Sequence, residues 1–232
     1  MPSYAELQVT TNFTFLEGAS HPEELIVQAK ALGLSAIAVT DRNSLAGIVR
    51  AHVAAKQNGL KLITGCRLDL QEPFSLLAYP TDRKAYGRLT RLLTTGQRRA
   101  EKGDCILTLD DVGKYQDGLI FIIVPPDGWP GKTFKSHLTT IRQTITGPLY
   151  LAGTRRFAPG DRARLNRLDQ LAHTHAAPLV ATNDILVHHP DRKQLQDVIT
   201  CIREKCQISE AGFRLAANAE RHLKPADEMA RL

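Results

Sequence analysis

Short apolar runs alternate with amphipathic helical patterns along almost the whole chain, and this alternation limits the possible folds more than any other feature. The predicted strands are Tyr4–Val9, Ser35–Thr40, Lys61–Thr64, Phe74–Tyr79, Gly118–Val124, Leu149–Ala152 and Leu179–Thr182. The predicted helices are His21–Leu32, Leu45–Asn58, Arg83–Thr94, Lys135–Thr144, Asp161–His173 and Arg192–Glu204. Such alternation predicts an α/β fold in which helices cover mainly parallel strands, as an open sheet or a barrel. Because 232 residues leave little length for each unit, a compact, distorted (βα)7 barrel is favoured.

Composition excludes several other classes of protein. With 43% hydrophobic and 23% charged residues, the chain is neither collagen-like nor disordered nor a coiled coil. Its length suffices for one sizeable core, which predicts a single α/β domain over 1–232 or, alternatively, two small domains. The longest apolar run, Leu119–Val124, is far shorter than the roughly 20 residues that a bilayer requires. Met1–Glu6 shows no signal-peptide pattern, and no CxxC pair occurs, so we expect a cytoplasmic protein with reduced thiols and no zinc.

The net charge of +6 is concentrated in one segment. The seven basic residues of that segment are Arg83, Lys84, Arg88, Arg91, Arg98, Arg99 and Lys102. Glu101 is the one acidic residue between Arg83 and Lys102, so this segment accounts for the whole net charge. Such a local excess predicts a surface for nucleic acid or for a neighbouring domain, whereas the simpler alternative is a solvated helix face.

Functional side chains of a parallel α/β fold are expected just after the carboxyl ends of the strands. Glu6 and Gln8 lie in the first predicted strand, and Thr10 follows them. Asp41 and Asp184 end two other predicted strands, so the two carboxylates could converge. No glycine-rich nucleotide fingerprint and no G-x-S-x-G nucleophile motif occurs in the sequence.

The residues around these carboxylates argue against a catalytic metal. Such a site usually needs several histidines and acids, and none of the eight histidines lies in a ligand-like pattern at a strand end. His52, for example, falls within the apolar stripe of the second helix, which predicts a packed position. Arg42 and Arg67 would repel a divalent cation and could pair with Asp41 or Asp184. This pattern predicts a salt-bridged or hydrogen-bonded cleft or, alternatively, a small anion pocket formed by the arginines.

Six motifs in order along the chain resemble the PHP (polymerase and histidinol phosphatase) domain. More narrowly, they are similar to the N-terminal domain of bacterial C-family DNA polymerases of the error-prone, damage-tolerance branch. The motifs are Tyr4–Leu25, Val39–Gly47, Gly65–Leu70, Leu179–Asp184, Leu195–Ile202 and His222–Met229. This resemblance covers nearly the whole chain and implies a PHP-like distorted barrel.

Departures from the family pattern bear on the metal site that the resemblance implies. Metal-binding members carry His-x-His where this chain has Gln8 and Thr10, and Asp-His where it has Asp41 and Arg42. A glutamate of the family is replaced by Arg67, and the last motif, Asp-x-His in the family, ends here in Leu186 after Asp184. The resemblance therefore implies a vestigial cleft with no metal and no catalytic residues.

Three functions remain open from the sequence. The first is a catalytically degenerate PHP-like structural domain of an error-prone polymerase whose parent carries out translesion synthesis, with magnesium only in a polymerase site beyond Leu232. Its expected partners are the polymerase core, DNA through the basic segment and other damage-tolerance proteins, with no membrane. The second is an active metal-dependent phosphoesterase or 3′–5′ exonuclease. The third is an independent nucleic-acid-binding module.

Overall fold

The computed structural model describes Ser3–Leu232 and divides the chain into two compact units. The first unit comprises Met1–Thr64, Arg155–Phe157 and Thr182–Leu232, and the second comprises Gly65–Thr154 and Ala158–Ala181. Met1 and Pro2, which open the segment predicted to lack a signal peptide, lie outside the described residues. The expectation of a single domain over 1–232 stays a prediction.

Strands and helices alternate as the sequence predicts, with additional short elements. The order is β1 (Ala5–Glu6), α1 (Pro22–Ala31), β2 (Ala36–Val39), α2 (Ile48–Asn58), β3 (Lys61–Thr64), β4 (Cys66–Asp69), β5 (Ser75–Pro80), α3 (Arg83–Arg99), α4 (Leu109–Tyr115), β6 (Leu119–Val124), α5 (Lys132–Thr144), β7 (Leu149–Gly153), α6 (Asp161–Thr174), β8 (Leu179–Ala181), α7 (Lys193–Glu204) and α8 (Ala226–Arg231). Three 3₁₀ turns lie at Pro190–Arg192, Ile208–Glu210 and Gly212–Arg214. No helix among the described residues combines the length and apolar character needed to cross a membrane.

The first unit contains a parallel sheet in the order β1–β2–β3, in which Ala36 pairs with both Ala5 and Lys61. Helix α1 buries Leu25 and Ile26 in the core of this unit. Its capping box is formed by His21 and Glu24. His21 N–H donates to the Glu24 carboxylate at 2.8 Å.

The prediction of which face of helix α2 is buried is wrong. The apolar stripe that contains His52 was expected to pack inward, yet His52 is exposed, as are Val49 and Val53 on the same helix. The buried face is lined by small residues, including Ala51 and Ala54. Because alanine allows close approach of neighbouring elements, the small-residue face is the one that packs, and the bulkier β-branched stripe faces solvent.

The last part of the first unit returns to the first predicted strand. Val9 and Ile185 form a parallel bridge beyond the short β1. Ile185 N–H donates to the Gln8 carbonyl at 2.8 Å, and Thr10 N–H donates to the Ile185 carbonyl at 2.9 Å. These backbone hydrogen bonds place Asp184 directly beside the first predicted strand.

The second unit contains a five-stranded sheet in the order β4–β5–β6–β7–β8. The β6–β7 and β7–β8 pairs are parallel, whereas β4–β5 and β5–β6 are antiparallel. When the two parallel pairs of the first unit are included, parallel strand pairs outnumber antiparallel pairs. The predicted α/β class with mainly parallel strands is therefore confirmed. Strand β4, whose four residues alternate between buried and half-buried, was not predicted.

Helix α3 carries two glycines with opposite surroundings, which gives a matched test of packing. A Cβ on Gly96 would lie 2.6 Å from Cys105 Sγ and 2.7 Å from Leu107, whereas a Cβ on Gly87 would meet no atom. We expect Gly87→Ala to raise the free energy of unfolding by about 0.5–1 kcal/mol, because alanine favours a helix. Gly96→Ala should lower it by about 1–3 kcal/mol through overpacking. Urea denaturation measures both, and equal effects would contradict this packing.

Candidate functional site

Glu6 lies at the centre of a buried polar network in the first unit and is 1% exposed. Its carboxylate accepts hydrogen bonds from the Tyr4 hydroxyl at 2.8 Å, Gln8 N–H at 2.9 Å and Asn183 N–H at 3.1 Å. Burial raises the pKa of Glu6 to about 7, although these three hydrogen bonds oppose the shift. The nearby Asp184 charge adds to the increase.

Asp184 is held between an amide and a guanidinium. Gln8 Nε2 donates to Asp184 Oδ1 at 2.7 Å, and Arg221 Nη2 donates to Asp184 Oδ2 at 2.6 Å. Arg221 also donates through Nε to the Asp184 carbonyl at 2.8 Å. The Thr182 hydroxyl donates to Gln8 Oε1 at 3.0 Å, so both ends of the Gln8 amide are engaged. Asp184 adopts a left-handed backbone conformation with φ of 48°, which aspartate tolerates better than most residues.

Asp41 is buried and accepts hydrogen bonds from nearby threonines. Its carboxylate accepts hydrogen bonds from Thr11 N–H at 2.8 Å, from the Thr11 hydroxyl at 2.9 Å and from the Thr14 hydroxyl at 2.9 Å. Burial raises the pKa of Asp41, and these hydrogen bonds oppose the increase. A Cβ on Gly47 would lie 2.5 Å from Asp41 Oδ2, so a glycine is required beside this carboxylate.

Three further residues of the predicted cleft lie in the first unit, namely Arg42, Thr10 and Leu186. Arg42 forms an ion pair with Glu17, and its Nη2 donates to Glu17 Oε1 at 2.8 Å. Thr10 is buried beside the bridge to Ile185, with 2% of its surface exposed. Leu186 is buried in a small apolar cluster with Ala19 and Val187. An aliphatic side chain in such a cluster offers a cation no ligand.

Arg67 belongs to the second unit. Its Nε donates to Asp69 Oδ1 at 3.1 Å, and its Nη2 donates to Ser75 Oγ at 3.2 Å. Arg42 thus forms an ion pair with Glu17, and Arg67 forms one with Asp69. The charge partner of Asp184 is Arg221, a residue that sequence reasoning did not single out as part of the site.

The arrangement does not fit the divalent metal that the PHP resemblance implies. A cation needs carboxylate oxygens that are not already taken by hydrogen-bond donors, together with little positive charge nearby. Asp184 accepts from an arginine, Asp41 accepts from two hydroxyls, and Glu6 accepts from three donors. Within Ser3–Leu232 no group of three His, Cys, Asp or Glu side chains has the geometry to hold a metal ion.

A second polar cluster in the first unit resembles a nucleophile and its base but lacks access. The Ser20 hydroxyl lies 2.8 Å from His188 Nδ1, and Glu24 Oε2 lies 3.9 Å from the same nitrogen. Ser20 is only 1% exposed, and its oxygen also accepts the His188 N–H at 2.9 Å. This serine stabilises the loop around His188 and is not positioned to attack a substrate.

The basic segment forms helix α3 and the start of the following loop in the second unit. Two of its seven cations have internal partners, since Arg99 forms a bidentate ion pair with Asp111 and Arg88 donates to the Asp117 carbonyl at 2.6 Å. The other five are exposed and form no ion pair with any described residue, namely Arg83, Lys84, Arg91, Arg98 and Lys102. Asp111 also caps α4, and its pair with Arg99 lowers the pKa of its carboxyl.

Comparison with known proteins identifies the family. The model of the PHP domain matches residues 6–158, well over half of the chain. The chain belongs to the PHP-domain family. Its match begins at Glu6, at the centre of the buried network, and includes Asp41 and Arg67.

The curated relatives of this PHP chain are polymerases. It is 57% identical over 232 residues to the N-terminal region of an error-prone DNA polymerase from Caulobacter vibrioides, covering 100% of this chain and 21% of the relative. It is 48% identical over 231 residues to error-prone DNA polymerase 1 from Agrobacterium fabrum, again over 100% of this chain and 21% of the relative. The chain thus spans about a fifth of the length of the relatives it matches.

Solved structures support the PHP-like α/β fold. A protein from Bifidobacterium adolescentis described as a metal-dependent phosphoesterase has a TM-score of 0.59 at 15% identity, over 79% of this chain and 88% of its own. An amidohydrolase from Chromobacterium violaceum has a TM-score of 0.59 at 14% identity, over 78% of this chain and 87% of its own. At such low identity, the likeness shows the fold and carries no activity.

The raised pKa of Glu6 predicts a specific pH dependence of stability. Glu6 is protonated in the folded chain up to about pH 7, whereas in the unfolded chain it loses its proton near 4.5. Its contribution to the free energy of unfolding is therefore fully present below pH 4.5 and is lost as pH rises through 7. We expect Glu6→Gln to remove a decline on the order of 3 kcal/mol over this range. Urea denaturation from pH 4.5 to 8 measures it.

The control for this experiment is the exposed Glu101, since Glu101→Gln should leave the decline in stability as it is in the unaltered chain. Asp41 contributes in the same direction because burial also raises the pKa of its carboxyl. Glu6→Gln is thus expected to reduce the slope without abolishing it. An unchanged slope in Glu6→Gln would contradict the burial of an ionisable Glu6 described above.

Proposed function

We propose that this chain is a catalytically degenerate PHP-like structural domain of an error-prone DNA polymerase, and that its parent performs template-directed translesion synthesis. The observation that supports degeneracy most directly is the Asp184 carboxylate, which accepts from Gln8 on one oxygen and from Arg221 on the other. The relatives support the polymerase parent, because error-prone DNA polymerases from two organisms match across the whole chain.

The charge balance explains why such a site would be inert. A guanidinium 2.6 Å from Asp184 Oδ2 supplies the positive charge that a metal would otherwise bring. A bound cation would have to displace Arg221 and would then face its charge at short range. Gln8 and Leu186 stand where metal-binding relatives have histidines. The domain therefore keeps two acids of the family pattern, and its own side chains neutralise one of them.

The cofactors, partners and cellular location expected for this domain are part of the same proposal. Magnesium is expected only in a polymerase site outside this chain, and neither a cofactor nor a metal is assigned to this domain. Its partners would be the polymerase core of the same parent, DNA and other damage-tolerance proteins. A cytoplasmic location, without membrane association, follows from the access that such a polymerase needs to the bacterial chromosome.

Metal content and nuclease activity test this proposal against an active phosphoesterase or 3′–5′ exonuclease. We expect protein purified without chelator to hold only background zinc and manganese by elemental analysis. A labelled single strand incubated with manganese should be cut no faster by the unaltered chain than by Asp184→Ala. One zinc or manganese ion per chain, lost in Asp184→Ala together with cleavage, would contradict the proposal and establish the alternative.

A second candidate function, DNA binding, is favoured by the five exposed cations of α3 and the following loop. Four of them are placed along one helix, and no described carboxylate forms an ion pair with them. Phosphate contacts would make the affinity fall steeply with salt. The only aromatic residue in the segment is Tyr86, so base stacking is not expected to contribute.

The basic helix can be tested with charge-matched variants. We expect Arg91→Ala with Arg98→Ala to weaken binding of single-stranded DNA and to reduce the slope of log affinity against log salt by about 0.7 for each phosphate that the protein no longer neutralises. The control, Arg162→Ala with Arg167→Ala, removes the same charge from α6 and should leave the slope unchanged. Fluorescence anisotropy at several salt concentrations measures both. Binding that is independent of salt, or equally weakened in both variants, would contradict this function.

A further inference from the structure

We propose that an exposed apolar face on α7 and the turns that follow it is the surface on which the rest of the parent polymerase docks. This α7 face consists of Leu195, Val198, Ile202, Ile208 and Phe213, all in the first unit. The proposal rests on the polymerase parent argued above. It does not depend on whether the domain holds a metal.

Helix α7 is inverted relative to an ordinary surface helix. The residues that it buries include the polar Gln196 and Thr200, and Gln196 Nε2 donates to the Thr200 hydroxyl at 3.0 Å. Leu195, Val198 and Ile202 recur at helical spacing on the outer side, with 41%, 46% and 56% of their surfaces exposed. A surface helix normally turns its apolar stripe to the core. On α7 the apolar stripe faces outward instead, and two of its residues, Val198 and Ile202, line a groove.

The two turns after α7 both contact this helix and add exposed apolar residues. Ile208 is 58% exposed, and Phe213 is exposed along its whole side chain. An open groove of about 560 Å³ lies between α7 and the first turn, lined by Val198, Ile202 and Ile208 among others. Contiguous exposed apolar residues around a groove are typical of an interaction site and are rarely left in water.

The charges around the α7 face argue against a polyanion as its occupant. Lys205 and Glu210 both line the groove, so the two signs of charge balance there. Arg203 is engaged, since its Nη1 donates to the Leu16 carbonyl at 3.1 Å and its Nε lies 3.2 Å from Glu204. The chemistry that fits is an aliphatic or aromatic protein surface with a mixed polar rim.

The length of the relatives identifies that protein surface. This chain spans 21% of each of the two polymerases compared above, so about four-fifths of such a polymerase lies outside it and is covalently joined to it. Because the two parts are covalently joined, the rest of the polymerase is present near the α7 face at an effective concentration in the millimolar range when the linker is short and flexible. Even a small apolar patch can then dock. A separate partner would need a larger interface, of about 800 Å² on each side.

Hydroxyl-radical footprinting of the full-length polymerase tests this docking. Phe213 and Phe15 form a matched internal pair, because both are phenylalanines of the first unit and are 107% and 84% exposed. We expect the full-length protein to show several-fold slower modification of Phe213 than of Phe15. Ile202 should likewise be modified several-fold more slowly than Val49, an exposed aliphatic residue of α2. Modification of Phe213 and Ile202 as fast as their references would overturn the proposal.

Two further measurements distinguish the rest of the polymerase from a second copy of the chain as the occupant of the α7 face. Ile202→Asp in the full-length polymerase should restore the modification of Phe213, whereas Val49→Asp should leave it slow. If dilution to nanomolar concentration restores the modification of Phe213, a second copy of the chain covers the face and the proposal is wrong. A metal found in the elemental analysis would leave these results unchanged, so failure here is distinguishable from failure of the degenerate-site proposal.

Discussion

The Asp184 carboxylate is the group on which the candidate site depends. It joins Gln8 of the first predicted strand to Arg221 near the end of the chain, so one side chain connects three segments that are far apart in sequence. The backbone bridge between Val9 and Ile185 holds Asp184 in place beside that strand. A partly buried carboxylate without these donors would carry a large desolvation cost, so the network satisfies a charge that the fold retains.

The other two buried acids of the first unit are also satisfied by hydrogen-bond donors. Glu6 and Asp41 are each buried and accept several hydrogen bonds, and burial raises the pKa of both carboxyls. In a metal-binding relative, a cation would balance such acids. In this chain an arginine, hydroxyls and backbone amides take that role. These donors within the chain are the physical basis of the degenerate-domain proposal.

The sequence predicted most of this fold because hydrophobic periodicity and the PHP motifs report local and family-wide constraints. The seven predicted strands and the main helices all appear within a few residues of their expected positions. The antiparallel strand β4 was missed because four alternating residues directly after β3 give little signal. The inward face of α2 was assigned wrongly, because small alanines pack closely while larger Val49 and Val53 remain exposed.

The sequence pointed to several residues of this polar network, but it did not predict which residues would be hydrogen-bonded to one another. Glu6, Gln8 and Asp184 form one hydrogen-bonded network, and Asp41 lies in the same unit with its own threonine donors. Arg221 could not be identified as the partner of Asp184, since the two are separated by 37 residues and no local pattern links them. Thr11 and Thr14 were likewise unrecognised as donors to Asp41, because threonines at a strand end have no distinctive pattern.

Titration with manganese followed by NMR tests the central claim most directly, because this paramagnetic ion broadens the amide signals of residues close to where it binds. If the carboxylates are already occupied by donors within the chain, signals of Gln8, Asp41 and Asp184 should broaden no more than those of exposed acids such as Glu101. Saturable broadening centred on Asp184 at stoichiometric manganese would contradict the account, because it would show that the ion displaces Arg221 and occupies the site.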